Sequence, residues 1–189
     1  DFYCFSAHKM YGPTGVGVLY GKKTLLDSLP PYQSGGEMIE NVSLKKTTYA
    51  QLPYKFEAGT PNIAGVIAFK ESIKFINNIG MSSIEKHENL LLKYATQQIL
   101  SVPGVNIVGT SKQKSSLISF NLDGVHHYDL GVILDKMGIA IRTGHHCAQP
   151  IMKKFNIPGT ARVSFSLYNT QNEIDYFIKC LKKAKKMLL

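Results

Sequence analysis

Residues 2–20 read Phe-Tyr-Cys-Phe-Ser-Ala-His-Lys-Met-Tyr-Gly-Pro-Thr-Gly-Val-Gly-Val-Leu-Tyr. The aromatic run from Phe2 to Ser6 has the character of a buried strand. Residues 15–20 form a second strand, its side chains thinned by glycine. Between them lies a polar turn that ends at Gly12-Pro13. Lys9 therefore stands at a strand end beside His8, and Ser6 and His8, two apart on an extended chain, point the same way. The chain opens inside a sheet, with no initiator methionine, as a piece of something longer is expected to do.

Outward from this pair, residues 24–28 carry a short helical segment and Gly35-Gly36 opens a flexible stretch. Residues 42–44 and 47–50 are rich in β-formers and can pair as a hairpin. Phe-Glu-Ala-Gly-Thr-Pro-Asn at 56–62 is a second glycine-containing turn, with Asn62 as the cap of a helix running to Gly80. In that helix Ile63, Val66, Ile67, Phe69, Ile73 and Ile76 recur at helical spacing. Ser82 or Ser83 starts a further helix to about residue 100, with Glu85 in its first turn, and Pro103-Gly104 closes it. Gly80 is the candidate boundary, giving domains 1–79 and 80–189. The second domain then runs strand 105–108, strand 116–121, helix 128–137, strand 140–142, strand 162–166 and helix 171–186. Interleaved strands and helices without repeats predict a small α+β domain.

The chain has 189 residues, 44% of them hydrophobic, enough for one substantial core or two small ones. Three widely spaced cysteines do not make a disulfide framework and point to a reducing compartment, with cytoplasm the default. No apolar run reaches the roughly 18 residues needed to span a bilayer, so no membrane role is expected. The formal net charge of +9 raises nucleic acid as a partner. Its densest cluster, Lys179, Lys182, Lys183, Lys185 and Lys186, lies on a C-terminal amphipathic helix and reads as a solvated face, without zinc-finger or RNA-binding spacing.

Chemistry concentrates in Arg-Thr-Gly-His-His-Cys-Ala-Gln-Pro at 142–150. A cysteine is more often inert packing than a nucleophile. Here, however, Gly144 and Pro150 break regular structure, placing Cys147 on a loop that leaves a buried strand beside Arg142, His145 and His146, and such neighbours favour the thiolate. With no second cysteine nearby, a zinc site is not expected. Lys9 taken alone is an ordinary solvated lysine; at a strand end in a concave site its amine becomes nucleophilic. Gly59-Thr60 ahead of a helix is equally a plain cap or an anion-binding turn of backbone N–H groups. Arg162, beginning the strand Arg-Val-Ser-Phe-Ser, and Arg142 are either surface charges or carboxylate clamps.

Together, Ser-Ala-His-Lys-Met-Tyr-Gly-Pro-Thr-Gly-Val-Gly-Val-Leu-Tyr at 6–20, Phe-Glu-Ala-Gly-Thr-Pro-Asn at 56–62, Arg-Thr-Gly-His-His-Cys-Ala at 142–148 and Arg-Val-Ser-Phe-Ser-Leu-Tyr-Asn-Thr at 162–170 resemble the cysteine desulfurases of the SufS type, in the class V aminotransferase family. The resemblance covers the whole chain and implies an α/β, fold-type I pyridoxal 5'-phosphate enzyme of which the C-terminal half is present: the last part of the large domain, then the small α+β domain. It implies that Lys9 holds the cofactor covalently, that Ser6 and His8 contact it, and that Gly59 and Thr60 reach the phosphate of the other subunit of a homodimer. Arg162 matches the clamp on the substrate carboxylate, Arg142 the arginine flanking the active-site loop, and Cys147 the residue that receives sulfur from L-cysteine as a persulfide. The short loop matches the branch that passes sulfur to a separate acceptor protein of the Suf type, for iron–sulfur cluster assembly. A selenocysteine lyase or cysteine sulfinate desulfinase of the same family, or a non-catalytic dimerisation or docking module, are the alternatives. Because the family's acidic partner for the pyridine nitrogen and its ring-stacking residue are expected upstream, the 189-residue piece alone is expected to be inactive and to bind cofactor weakly.

Overall fold

The computed structural model describes residues 1–189 and divides into two compact units, Asp1–Gly80 and Met81–Leu189.

In the first unit, β1 (Phe2–Ser6) pairs antiparallel with β2 (Gly17–Gly21), Phe2 opposite Gly21 and Ser6 opposite Gly17. The helix α1 (Lys23–Ser28) follows, then a hairpin of β3 (Ile39–Val42) and β4 (Thr47–Tyr49); its first strand lies upstream of the expected 42–44, because Ser43 and Leu44 belong to the connection, which the Ser43 N–H closes on the Lys46 carbonyl at 2.9 Å. The long helix α2 (Ile63–Ile79) begins where the Asn62 side chain accepts from the Gly65 N–H at 3.0 Å. It packs on the strands through Phe69, whose ring centre lies 6.4 Å from that of Phe5. Gly12 is required there, since a Cβ would lie 2.9 Å from both the Ala7 carbonyl and the Phe69 ring.

Three further expectations need correction in this unit. Within this 189-residue chain the strand at 2–6 is not buried: Tyr3 and Tyr20 are exposed, β1 and β2 pairing only with each other among its strands. Ser6 and His8 do not share a strand, since the chain turns at Ser6 into a single 3-10 turn, Ala7–Lys9, which ends the two-residue alternation. The stretch at Gly35-Gly36 is tied down, the Gly36 carbonyl accepting from the N–H groups of Met38 and Gly59.

The second unit is a four-stranded antiparallel sheet in the order β5 (Val105–Val108), β6 (Leu117–Leu122), β8 (Thr160–Ser164), β7 (Arg142–Gly144). Its helices are α3 (Met81–Leu100), α4 (His127–Asp135), α5 (Gln149–Phe155) and α6 (Gln171–Leu188). Alternation sorts the strands into two faces. Ile107, Ile118, Phe120, Leu122, Ala161 and Val163 enter one core with Leu91, Leu130, Leu134, Ile174, Phe177 and Leu181 from α3, α4 and α6. The opposite face carries Ser119, Arg142, Thr160 and Arg162. α6 starts with a capping box between Thr170 and Glu173, and Lys179, Lys182, Lys183 and Lys186 lie on its exposed side.

Here too the sequence reading shifts. α3 starts at Met81, one residue after α2's cap Gly80, so Glu85 lies beyond its first turn. The strand expected at 140–142 is Arg142–Gly144, an edge strand with Arg142 exposed, because only those residues find partners on β8. Arg162 lies in the middle of β8 rather than at its start. The helix α5 was not expected, since Pro150 reads as a breaker; it sits in the first turn, where its missing N–H is not needed.

Candidate active site

The first unit holds a cleft of about 630 Å³ lined by Tyr3, Cys4, Phe5, Ser6, Lys9 and Met10. β1 delivers Ser6 and the 3-10 turn presents Lys9, which is exposed in this 189-residue chain. His8 is exposed and does not line the cleft. Nor do Gly59 and Thr60. Gly59 has the left-handed φ of +77° and no atom within 4 Å of a Cβ placed on it. Its N–H is spent on the Gly36 carbonyl at 2.9 Å, so this turn does not present a Gly59 N–H to an anion.

In the second unit a cleft of about 470 Å³ is lined by Arg142, Thr143, His145, His146, Cys147, Gln149 and Pro150. Cys147 is exposed, with Arg142 Nη2 at 3.7 Å from its sulfur. His146 and Cys147 both take left-handed φ, +54° and +58°, which turns the chain sharply between β7 and α5. Arg142 pairs directly across the sheet from Arg162, whose Nε is buried without a partner. His146 reaches Thr160, Nε2 lying 2.8 Å from Oγ1 and 3.1 Å from the carbonyl oxygen.

Sequence reasoning did not pick out Thr160 or His127. His127 lies against His126, the ring centres 4.2 Å apart and the planes tilted by 43°, and its Nε2 would lie 2.5 Å from a Cβ on Gly159. Burial first, then His126, His145 and His146, hold the His127 pKa below the usual histidine value, against an opposing pull from Asp129. Burial also lowers the His146 pKa, together with Arg162, Arg142 and His145, while its bond to the Thr160 backbone works the other way. The signal available in the sequence was the pair His126-His127 opening a helix. No group of three or more His, Cys, Asp and Glu side chains could hold a metal ion.

A cross-strand pair of cations, Arg142 exposed and Arg162 half-buried, beside an exposed thiol suits capture of a small anion next to a nucleophile. The profile of the family described as Aminotransferase class-V matches residues 1–177, and the chain belongs to that family. It is 49% identical over 189 residues to a cysteine desulfurase of Wigglesworthia glossinidia brevipalpis, covering 100% of this chain and 46% of that protein. A probable cysteine desulfurase of Halalkalibacterium halodurans is 49% identical over 185 residues, covering 98% of this chain and 45% of the relative. The chain thus spans about half the length of the curated relatives it matches. The crystal structure of the S-sulfonic acid form of the cysteine desulfurase CsdA from Escherichia coli superposes with a TM-score of 0.95 at 40% identity, over 100% of this chain and 47% of that one. A cystine C-S lyase, C-DES, shares the fold at 22% identity and a TM-score of 0.81. The α/β fold is therefore that of the fold-type I enzymes.

Proposed function

We propose that the full protein containing this chain is a pyridoxal-phosphate-dependent cysteine desulfurase that converts L-cysteine to L-alanine and leaves a persulfide on Cys147. The observation that carries the reading is the Cys147 sulfur held 3.7 Å from Arg142 on an exposed left-handed turn. Its support is the 49% identity to a cysteine desulfurase over the whole chain. Residues 1–79 serve as the remaining part of the cofactor-binding large domain and 80–189 as the small domain.

The donor set of the first cleft fits the cofactor: Lys9 supplies the primary amine that an aldehyde requires, and Ser6 a hydroxyl for a phosphate. His8, Gly59 and Thr60 are proposed as further contacts, Thr60 through its exposed hydroxyl and Gly59 through the open space beside its Cα rather than its N–H. When bound, pyridoxal phosphate supplies a ring that withdraws electrons from the substrate's α-carbon. The Lys9 amine, released by the incoming substrate amine, moves the α-proton. Arg162 clamps the substrate carboxylate and Arg142 donates to the Cys147 sulfur. That sulfur, as the thiolate, attacks the substrate γ-sulfur. An S–S bond forms as the Cβ–Sγ bond breaks, the electron pair stays on the carbon, and the carbon takes a proton and leaves as alanine. The sulfurs are oxidised as the carbon is reduced, with no outside oxidant.

The persulfide then passes to a separate acceptor protein of the Suf type for iron–sulfur cluster assembly, and the enzyme works as a homodimer. Its three cysteines are free, two of them exposed, which supports a cytoplasmic setting. No helix is long and apolar enough to cross a membrane.

Alanine formed from L-cysteine by the full-length holoenzyme tests the reading, with borohydride reduction and peptide mapping expected to find the cofactor on Lys9. Cys147→Ser should abolish desulfuration but leave selenocysteine or cysteine sulfinate breakdown largely intact. Retained cysteine turnover in that variant refutes the persulfide route and favours the selenocysteine or sulfinate alternative.

A further inference from the structure

Two consecutive non-glycine residues, His146 and Cys147, sit at φ +54° and +58°. Each costs about 1–2 kcal/mol against the right-handed alternative, so the turn persists only because its surroundings fix it. Two contacts do so. The Ala148 N–H donates to the His145 carbonyl at 2.9 Å, closing the turn on itself. The His146 ring reaches Thr160, which has no exposed surface and stands on β8 opposite Gly144, the last residue of β7 before the turn. The ring thus ties the turn to the sheet beside the point where the chain leaves it.

We infer that His146, as an uncharged ring anchored on Thr160, is the residue that positions Cys147, holding the turn in the shape that brings the sulfur to Arg142. This rests on the reading of Cys147 as the sulfur acceptor. The Thr160 carbonyl can only accept, so the ring hydrogen belongs on Nε2. Nδ1 is buried without a partner. A bare lone pair there is tolerable, whereas protonation would place an N–H with no acceptor, at a cost of about 1–3 kcal/mol or more. The groups acting on the ring are Arg162 on β8, Arg142 on β7, His145 in the turn and His127 on α4; none is a carboxylate, and each opposes a second positive charge. In acid the ring charges, the tie to Thr160 is disrupted and Cys147 loses its register.

The test uses the full-length holoenzyme and the variants His146→Ala, His146→Gln, Thr160→Val and Thr160→Ser. Steady-state alanine formation is measured on both sides of the ordinary histidine pKa of about 6.5, and Cys147 alkylation by iodoacetamide is followed by peptide mass spectrometry. His146→Ala and Thr160→Val should lower kcat at neutral pH by about tenfold or more, with KM for cysteine nearly unchanged. Alkylation of Cys147 should slow in the same two variants. His146→Gln, whose amide reaches Thr160 but does not titrate, should keep most of kcat and lose the acid fall-off attributable to this ring. Thr160→Ser should behave as the parent. Parental kcat and alkylation in His146→Ala and Thr160→Val, or an unchanged acid limb in His146→Gln, overturns the inference. If His146→Ala fails to fold, the His146→Gln pH profile still decides. Cys147→Ser separates the two levels: if it abolishes desulfuration while the His146 and Thr160 variants match the parent, only the positioning role fails.

Discussion

Arg142 on β7 stands directly opposite Arg162 on β8, so two guanidinium groups leave the same face of the sheet side by side. Like charges placed opposite each other weaken a strand pair by about 0.2–1 kcal/mol, and Arg162 Nε is buried with no partner. Neither feature helps the fold. Both suit the carboxylate site proposed above, since Arg162 Nε has no protein acceptor and Arg142 donates only to the Cys147 sulfur at 3.7 Å among the hydrogen bonds of its side chain.

Replacing Arg162 by Gln should therefore split stability from function. The thermal midpoint of the full-length protein should hold or rise by a degree or two, since the repulsion is worth only a fraction of a kcal/mol. The KM for cysteine should rise by about ten- to a hundredfold, the loss of a charge-assisted bond worth roughly 1.5–3 kcal/mol. Melting curves and alanine kinetics on one preparation read both; a lower midpoint with unchanged KM would make Arg162 a structural residue.

Gly159 is buried against His127, and a Cβ there would lie 2.5 Å from the ring nitrogen and 3.0 Å from the Gly144 carbonyl. The carbonyl belongs to β7 and cannot yield cheaply. Gly159→Ala should cost about 1–3 kcal/mol, measured as a lowered denaturant midpoint at constant slope. It should also slow desulfuration, because Thr160, the anchor of His146, is the next residue.

Two histidines of the second unit resist protonation: burial leads in lowering both His127 and His146 from the ordinary 6.5. Their folded pKa values lie below the unfolded ones, so the unfolded chain takes up these protons first. Stability is full above about pH 6.5 and falls as pH drops through that value toward the lowered native ones. Glu88, raised mainly by burial, has the opposite sign, the native state gaining as its carboxyl protonates. It therefore offsets part of the loss that the two histidines cause in acid. Melts at about pH 7.5 and pH 6 should show the fall, and His127→Gln should reduce it; a pH-independent midpoint over that window would refute the assignment.

Thr170 and Glu173 form a reciprocal cap on α6, with the Thr170 N–H donating to Glu173 Oε2 at 2.7 Å and the Glu173 N–H to Thr170 Oγ1 at 3.3 Å. The hydrogen bonds from Thr170 lead in lowering the Glu173 pKa. Thr170→Ala should cost about 0.5–2 kcal/mol, read by chemical denaturation, and leave Cys147 alkylation unchanged because α6 supplies no residue to that cleft.

Local patterns carried much of this structure. The extents of α2 and α6, the cap at Asn62 and the alternation Leu-Ile-Ser-Phe-Asn-Leu of β6 follow from local spacing, whereas of the apolar residues spaced along α2 only Phe69 and Ile76 are buried and Ile63, Val66, Ile67 and Ile73 are exposed. The residues at 142–148 likewise marked a thiol among cations. Register and pairing were not legible there. Which three residues of 140–144 join β8, that Arg142 meets Arg162, and that His146 lands on Thr160 depend on partners far along the chain. The capture of the Gly59 N–H by Gly36 has the same origin. The sequence by itself determined which side chains could do the chemistry and the elements that carry them, since both are set by residues near one another in the chain. Only the tertiary structure decided which of those groups are already satisfied and which are left unpaired, because hydrogen bonding and charge are settled between elements once the backbone has folded.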